Sequence, residues 1–123
     1  MRHVLSLDDL TTEEIQRVLQ IAADLKAKLA SSQRPALLAN HVMGLLFEKP
    51  SLRTRVSFET LFRHLGGSSL FLSKDVGWGE REPLRDFIPI LTGYLDILVV
   101  RAKPRKGCRS NPAQPVPDHQ WLD

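Results

Sequence analysis

Residues 51–55, Ser-Leu-Arg-Thr-Arg, concentrate anion-binding side chains in one short segment. The guanidinium groups of Arg53 and Arg55 present planar forks of donors that match phosphate oxygens, and Ser51 and Thr54 add hydroxyl donors. Charge-assisted hydrogen bonds contribute about 1.5–3 kcal/mol each, so several of them together would hold a small phosphate ligand. These residue types therefore indicate a candidate anion site.

The position of this cluster in the predicted fold favours a ligand. It lies between an apolar run of strand length, residues 41–48, and a helical pattern within residues 51–67. Helix starts carry unpaired amides and partial positive charge, and open α/β sheets bind ligands where their strands end. Arg101 closes a third predicted strand and would project from the same edge. The alternative is a charged helix start whose arginines form salt bridges with Glu48 or Glu59.

The apolar periodicity predicts an α/β fold in which three helices alternate with three strands. The predicted helices lie within residues 11–30, 51–67 and 83–93, and the strands within 41–48, 68–72 and 94–101. Thr11 and Glu14 form a capping-box pattern at the first helix, and Pro89 is expected to kink or shorten the third. Strands without polar alternation are typical of parallel sheets covered on both faces. We therefore predict a partial three-layer domain with a mostly parallel sheet flanked by helices.

Length, composition and charge are those of one cytoplasmic domain. The chain has 123 residues, 42% of them hydrophobic, and a net charge of +3 that permits an anionic ligand without requiring nucleic acid. Its one cysteine, Cys108, rules against a disulfide framework and has no partner at metal-ligand spacing. Since neither a membrane-length apolar run nor a secretory signal is visible, we expect a cytoplasmic protein without membrane contact.

The sequence changes character after Ala102. Residues 103–123 are rich in proline and lack apolar periodicity, so we predict a domain over residues 1–102 and a disordered tail over residues 103–123. The basic residues of this tail are Lys103, Arg105, Lys106 and Arg109. The one aromatic residue of the tail, Trp121, is far from them and no nucleic-acid motif is present, so we expect no nucleic-acid partner.

The stretch from Phe47 to Glu59 resembles the carbamoyl phosphate motif of the aspartate and ornithine carbamoyltransferases, F-x-x-x-S-T-R-T-R-x-S-F-E. The matching residues are Phe47, Ser51, Arg53, Thr54, Arg55, Ser57, Phe58 and Glu59. The resemblance extends over residues 1–102, and Lys49 is closer to the ornithine branch than to the aspartate branch. It implies an incomplete carbamoyl phosphate-binding domain over those residues.

The resemblance implies a role for each residue of the cluster. Ser51, Leu52, Arg53 and Thr54 would bind the phosphate of carbamoyl phosphate. Arg101 would bridge the phosphate and the carbamoyl oxygen, with Thr54 near that oxygen, which makes Arg101 and Thr54 the implied catalytic residues. Leu52 stands where the family has threonine, so its side chain cannot donate and only its backbone amide remains.

The implied reaction transfers the carbamoyl group from carbamoyl phosphate to the side-chain amine of ornithine, giving citrulline and phosphate in arginine biosynthesis. The family needs no cofactor and no metal. A loop around Gly77, Trp78 and Gly79 is similar to one that completes the site of a neighbouring subunit in a homotrimer; without the resemblance it is a plain surface loop. Arg55 is implied to support the motif structurally.

The chain departs from the family in what it lacks. Relatives continue with an H-P-x-Q motif and a second α/β domain for the amino acid, and neither pattern occurs here. We therefore expect a truncated or frame-shifted product that binds carbamoyl phosphate at most and is inactive alone. Two alternatives stay open. One is a non-enzymatic fragment that associates with full-length carbamoyltransferase subunits, and the other is a carbamoyltransferase for acetylornithine or aspartate.

Overall fold

A computed structural model describes residues 3–73 and 84–102 of the chain. The elements are a short 3₁₀ helix at Leu7–Asp9, α1 at Thr12–Ala30, β1 at Val42–Phe47, α2 at Leu52–His64, β2 at Ser68–Leu72, α3 at Leu84–Tyr94 and β3 at Ile97–Arg101. The predicted alternation of helices and strands is confirmed, and so is the α/β class with a parallel sheet flanked by helices. The predicted tail, residues 103–123, and the loop around Gly77, Trp78 and Gly79 lie outside the described residues.

The chain divides into two compact units between Arg34 and Pro35. The first contains α1, which begins with the predicted capping box: Thr11 Oγ1 accepts from the Glu14 amide at 3.2 Å, and Glu14 Oε2 accepts from the Thr11 amide at 2.8 Å. No side chain of α1 is buried among the described residues. Its cap is therefore a local stabilising feature, independent of a packed core. None of the described helices is long and apolar enough to span a bilayer.

The second unit is built on a three-stranded parallel sheet with the order β2-β1-β3. The central strand carries the core, and its fully buried side chains are Met43, Leu45, Leu46 and Phe47. Phe62 of α2 is also buried and forms one hydrophobic cluster with Met43, Leu45 and Phe47. A central strand buried along its length agrees with the prediction from its unbroken apolar sequence.

Pro89 lies inside α3 without ending it. The sequence predicts that this proline kinks or shortens the helix. Because α3 continues to Tyr94, Pro89 does not shorten it, and the kink stays a prediction. A proline removes one intrahelical hydrogen bond. Phe87, Ile88 and Leu91 are half-buried on this helix, and the packing of that apolar face offsets the lost bond.

The third strand begins later than the apolar pattern of residues 94–101 predicts. Tyr94 ends α3, and β3 starts at Ile97 because Asp96 forms a different contact. The Asp96 amide donates to the Val42 carbonyl at 2.9 Å, and its Oδ2 accepts from the Val42 amide at 2.7 Å. The carboxylate thus binds the first amide of β1, and regular pairing follows from the next residue.

Gly44 in β1 provides a test of this packing. A Cβ atom there would lie 2.4 Å from Leu95 Cδ1 and 3.1 Å from Leu98 Cδ1, and Leu95 is itself buried. We expect Gly44→Ala to lower the free energy of unfolding by about 1–3 kcal/mol in urea titrations, since overpacking displaces core side chains. Gly93→Ala is the matched control. Nothing lies within 4 Å of its added Cβ, so a helix-favouring alanine there should not destabilise. Equal losses for both variants would contradict this account.

Candidate functional site

The start of α2 has no side-chain cap, although a serine occupies its N-cap position. Ser51 occupies the N-cap position in an extended conformation, with φ −153° and ψ 91°, and its carbonyl accepts from the Arg55 amide at 2.9 Å. Its hydroxyl makes no capping hydrogen bond. The first-turn amides of Leu52, Arg53 and Thr54 have no intrahelical acceptor, and Ser51 supplies none from its side chain. Within residues 3–73 and 84–102, this helix start is therefore open to an external acceptor.

The Ser51 hydroxyl points instead into a cluster with Thr54 and Arg101. Arg101 Nη1 donates to Ser51 Oγ at 2.5 Å and to Thr54 Oγ1 at 3.1 Å, while Ser51 Oγ donates to Thr54 Oγ1 at 2.9 Å. In this arrangement Thr54 accepts twice and keeps its own hydroxyl proton for another acceptor. The three side chains lie beside the open amides. Backbone amides, hydroxyls and a guanidinium therefore lie close together at the start of α2.

Parallel pairing of β1 and β3 brings Arg101 to this place. Phe47, the last residue of β1, pairs with Arg101, the last residue of β3, and the Glu48 amide donates to the Arg101 carbonyl at 2.9 Å. Ser51 follows Phe47 after a short turn. Because both strands end at the same sheet edge, a side chain fifty positions away in sequence reaches the α2 start. The prediction that Arg101 projects from this edge is confirmed.

Electrostatics make this helix start receptive to an anion. The first turn of α2 contains no acidic residue, whereas α1 has Glu13 and Glu14 in its first turn. Arg53 lies in that turn with an exposed side chain, and no acceptor is recorded for its guanidinium in the described part of the chain. Positive charge beside the positive end of a helix dipole is unfavourable unless an anion neutralises it.

Leu52 is the first residue of α2, and its side chain is 76% exposed. A leucine contributes no hydroxyl, so this position can serve a ligand only through its backbone amide. The prediction for this residue is thus limited to a main-chain contact. Its exposed side chain lies at the rim of the open helix start.

Arg55 is turned away from the cluster and stabilises the attachment of α2 to β2. Its Nε donates to Glu59 Oε2 at 2.9 Å, and its guanidinium lies 3.8 Å from the centroid of the Phe71 ring. Glu59 Oε1 accepts from Ser69 Oγ of β2 at 2.9 Å. These contacts agree with the structural role predicted for Arg55. They also show that Glu59, rather than Glu48, is its acidic partner.

A family model described as the carbamoyl-P binding domain of aspartate/ornithine carbamoyltransferase matches residues 2–117 of this chain. The chain belongs to the aspartate/ornithine carbamoyltransferase family. Among curated relatives, an ornithine carbamoyltransferase of Methanosarcina acetivorans is 46% identical over 101 residues, which cover 81% of this chain and 33% of the relative. The chain thus spans about a third of the length of the curated relatives it matches.

Solved structures of the carbamoyltransferase family have the same fold as the chain. An ornithine carbamoyltransferase from Pyrococcus furiosus matches with a TM-score of 0.77 at 37% identity, covering 81% of this chain and 32% of that one. The catalytic subunit of M. jannaschii aspartate transcarbamoylase matches with a TM-score of 0.75 at 34% identity, covering 85% and 35%. Neighbours named for ornithine and for aspartate therefore fit this domain about equally well.

The predicted site residues of this carbamoyltransferase domain fall into two groups. Ser51, Thr54 and Arg101 are in direct contact. Leu52 and Arg53 lie in the same helical turn, with exposed side chains that do not join the cluster. Sequence reasoning missed the contacts of Phe71 and Ser69 with the motif, because they depend on which β2 residues face α2 and no sequence signal fixes that choice.

The ion pair of Arg55 with Glu59 predicts an acid-dependent stability. The hydrogen bond from Arg55 holds the pKa of the Glu59 carboxyl below its ordinary range, although burial opposes part of this effect. A carboxyl whose pKa is lower in the folded state stabilises fully above its unfolded-state pKa, and loses that contribution as pH falls through the folded-state pKa.

We expect the free energy of unfolding of the wild type to fall as pH decreases from about 5 towards about 3. Glu59→Gln should cost about 0.5–1 kcal/mol at pH 7, a small amount because the pair is partly exposed, and should flatten this acid slope. Arg55→Met should flatten it as well, since it removes the main cause of the lowered pKa. Urea titrations at several pH values measure both effects. An acid slope in Glu59→Gln equal to that of the wild type would contradict the assignment.

Proposed function

We propose that this domain binds carbamoyl phosphate at the start of α2. The observation that carries the proposal is an uncapped helix start with no acid in its first turn, beside which the hydroxyls of Ser51 and Thr54 meet the guanidinium of Arg101. The phosphate would accept from the amides of Leu52, Arg53 and Thr54 and from the Arg53 side chain. A dianion there would neutralise the dipole and the exposed guanidinium together.

The carbamoyl group would lie towards Arg101 and Thr54. The unused Thr54 proton and the remaining Arg101 donors can bind the carbamoyl oxygen, whose negative charge grows when a nucleophile attacks the neighbouring carbon. Arg53 and the helix amides would stabilise the leaving phosphate. Thr54 and Arg101 are then the catalytic residues, and no cofactor is needed because the leaving group is already activated.

We further propose that the nucleophile is the side-chain amine of ornithine. Its nitrogen bonds to the carbamoyl carbon, the bond from that carbon to the phosphate oxygen breaks, and one amine proton passes to the departing phosphate, giving citrulline and hydrogen phosphate. The relatives named ornithine carbamoyltransferase support this acceptor. The reaction would serve arginine biosynthesis in the cytoplasm, with subunits in a homotrimer as the family resemblance implies.

Aspartate is the second candidate for the acceptor, because an aspartate transcarbamoylase subunit matches the fold closely. The family resemblance implies that both enzymes use carbamoyl phosphate and that a second domain selects the amine. This chain spans about a third of the length of these relatives. A non-catalytic role, association with full-length carbamoyltransferase subunits, remains the alternative for the chain as it stands. In the described sheet β2 and β3 each have one strand neighbour, which leaves edges for such an association.

Calorimetry with phosphonoacetate, a stable analogue of carbamoyl phosphate, tests the binding site. Arg53→Ala should weaken binding by about 10- to 100-fold, the loss expected for one charge-assisted contact. Arg63→Ala is the matched control, since it removes an exposed arginine from the opposite end of the same helix. Its affinity should stay within about twofold of the wild type. Equal affinities for Arg53→Ala and the wild type would reject the site.

A citrulline assay with carbamoyl phosphate and ornithine tests whether the chain turns over alone. We expect no citrulline above the level given by Arg101→Met, because amine binding is assigned to the second domain of the family. Mixing the chain with a full-length ornithine carbamoyltransferase and recovering both in one complex would favour the association role. Citrulline formed by the wild-type chain and lost in Arg101→Met would show that the expected inactivity is wrong.

A further inference from the structure

The N-cap hydroxyls of this chain differ in whether they accept a hydrogen bond from a first-turn amide. Ser6 caps the 3₁₀ helix by accepting from the Asp8 amide at 3.0 Å, and Thr11 caps α1 by accepting from the Glu14 amide. Ser51 has the same residue type and the same N-cap position, yet its hydroxyl caps nothing. The third residue of each helix differs: Asp9 and Glu14 complete capping boxes at the first two helices, whereas α2 has Thr54, whose hydroxyl Ser51 contacts. The other contacts of Ser51 must then explain why its hydroxyl does not turn to the amide.

The contacts of the Ser51 hydroxyl give the reason. Its proton is donated to Thr54 Oγ1, and Arg101 Nη1 donates to its oxygen at 2.5 Å. The guanidinium binds both hydroxyls at once and draws Ser51 Oγ towards the Thr54 side chain instead of the Thr54 amide. A charge-assisted contact is stronger than a neutral cap, so the competition favours Arg101.

We propose that Arg101 is a positioning residue for Ser51: it holds the hydroxyl off the cap position and so keeps the first-turn amides of α2 open for an anion. The identity of that anion rests on the proposed function. The hydrogen bond from Arg101 to Ser51 is present in the chain without ligand. Loss of Arg101 would let Ser51 move from its ψ of 91° towards the 163° of Thr11, rotate about χ1 and accept from the Thr54 amide, as Thr11 accepts from the Glu14 amide at α1. The helix would then cap itself, and its anion site would be occupied by its own side chain.

This role makes a specific claim about one amide proton. In the wild type the Thr54 amide is open, and in Arg101→Met it should be bound by Ser51. Hydrogen exchange of the full chain without ligand, followed by NMR, measures the difference. We expect exchange at Thr54 to slow about fivefold in Arg101→Met, the protection that a typical N-cap provides. Adding Ser51→Ala to Arg101→Met should restore the wild-type rate.

Three further variants control the measurement. Ser51→Ala in the wild-type background should leave Thr54 exchange unchanged, because no cap is present there to remove. Arg101→Lys should keep the exchange rate within about twofold of the wild type, since an ammonium can still donate to the hydroxyl. Thr11→Ala should speed exchange at the Glu14 amide about fivefold, which calibrates the signal of a lost cap in the same chain.

Unchanged or faster exchange at Thr54 in Arg101→Met would overturn the proposal, and so would a slowing that Ser51→Ala does not reverse. Arg101→Gln serves if the methionine variant does not fold, because the glutamine side-chain nitrogen lies two bonds closer to the backbone than Nη1 and cannot reach the Ser51 hydroxyl. Phosphonoacetate binding is measured separately. If the wild type binds no phosphonoacetate but Thr54 exchange changes in the variants as expected, the proposed ligand is rejected. The positioning role of Arg101 is then still supported.

Discussion

The parallel register between β1 and β3 is the constraint on which the site depends. It pairs Phe47 with Arg101 and thereby fixes the position of a guanidinium relative to the helix that follows β1. A shift by one residue would turn the Arg101 side chain to the other face of the sheet. Asp96 contributes at the opposite end of the strand, where its carboxylate and amide both bind Val42 and set where the pairing begins. An exposed carboxylate at the strand start thus helps to place the arginine at the strand end.

The two arginines of the motif have different environments, because Arg55 forms an ion pair with Glu59 within α2 and Arg53 has no such pair among the described residues. Arg55 is neutralised by Glu59 and covered by Phe71, so its charge is already compensated within the fold. Arg53, two positions earlier, faces outward without such a partner among the described residues. Because successive helix positions are about 100° apart, residues two apart point in nearly opposite directions. One arginine therefore holds the helix to the sheet, while the other keeps an exposed guanidinium at the start of the helix.

Sequence reasoning reached the architecture more fully than the side-chain contacts. Apolar periodicity located the elements, and the carboxyl-end rule for parallel strands brought Arg101 to Ser51. It failed where one side chain changes a local preference. Pro89 stays within α3 because packing of an apolar face offsets a lost hydrogen bond. The sequence shows one reason for the missing cap of Ser51, since Thr54 stands where α1 has the capping-box acid Glu14. It does not show the other, the contact of Ser51 with a residue fifty positions later.

The contrast between Thr11 and Ser51 shows how stability and binding compete for the same groups. A hydroxyl that caps a helix satisfies its amides permanently, which stabilises the fold and removes an anion site. A hydroxyl held elsewhere leaves those amides to water until a ligand arrives. At α2 the cost of the missing cap is offset in part by the hydrogen bonds of Arg101 with Ser51 and Thr54. These two hydrogen bonds use only Nη1, so the remaining donors of the guanidinium stay available for anionic oxygens, which are stronger acceptors than hydroxyls.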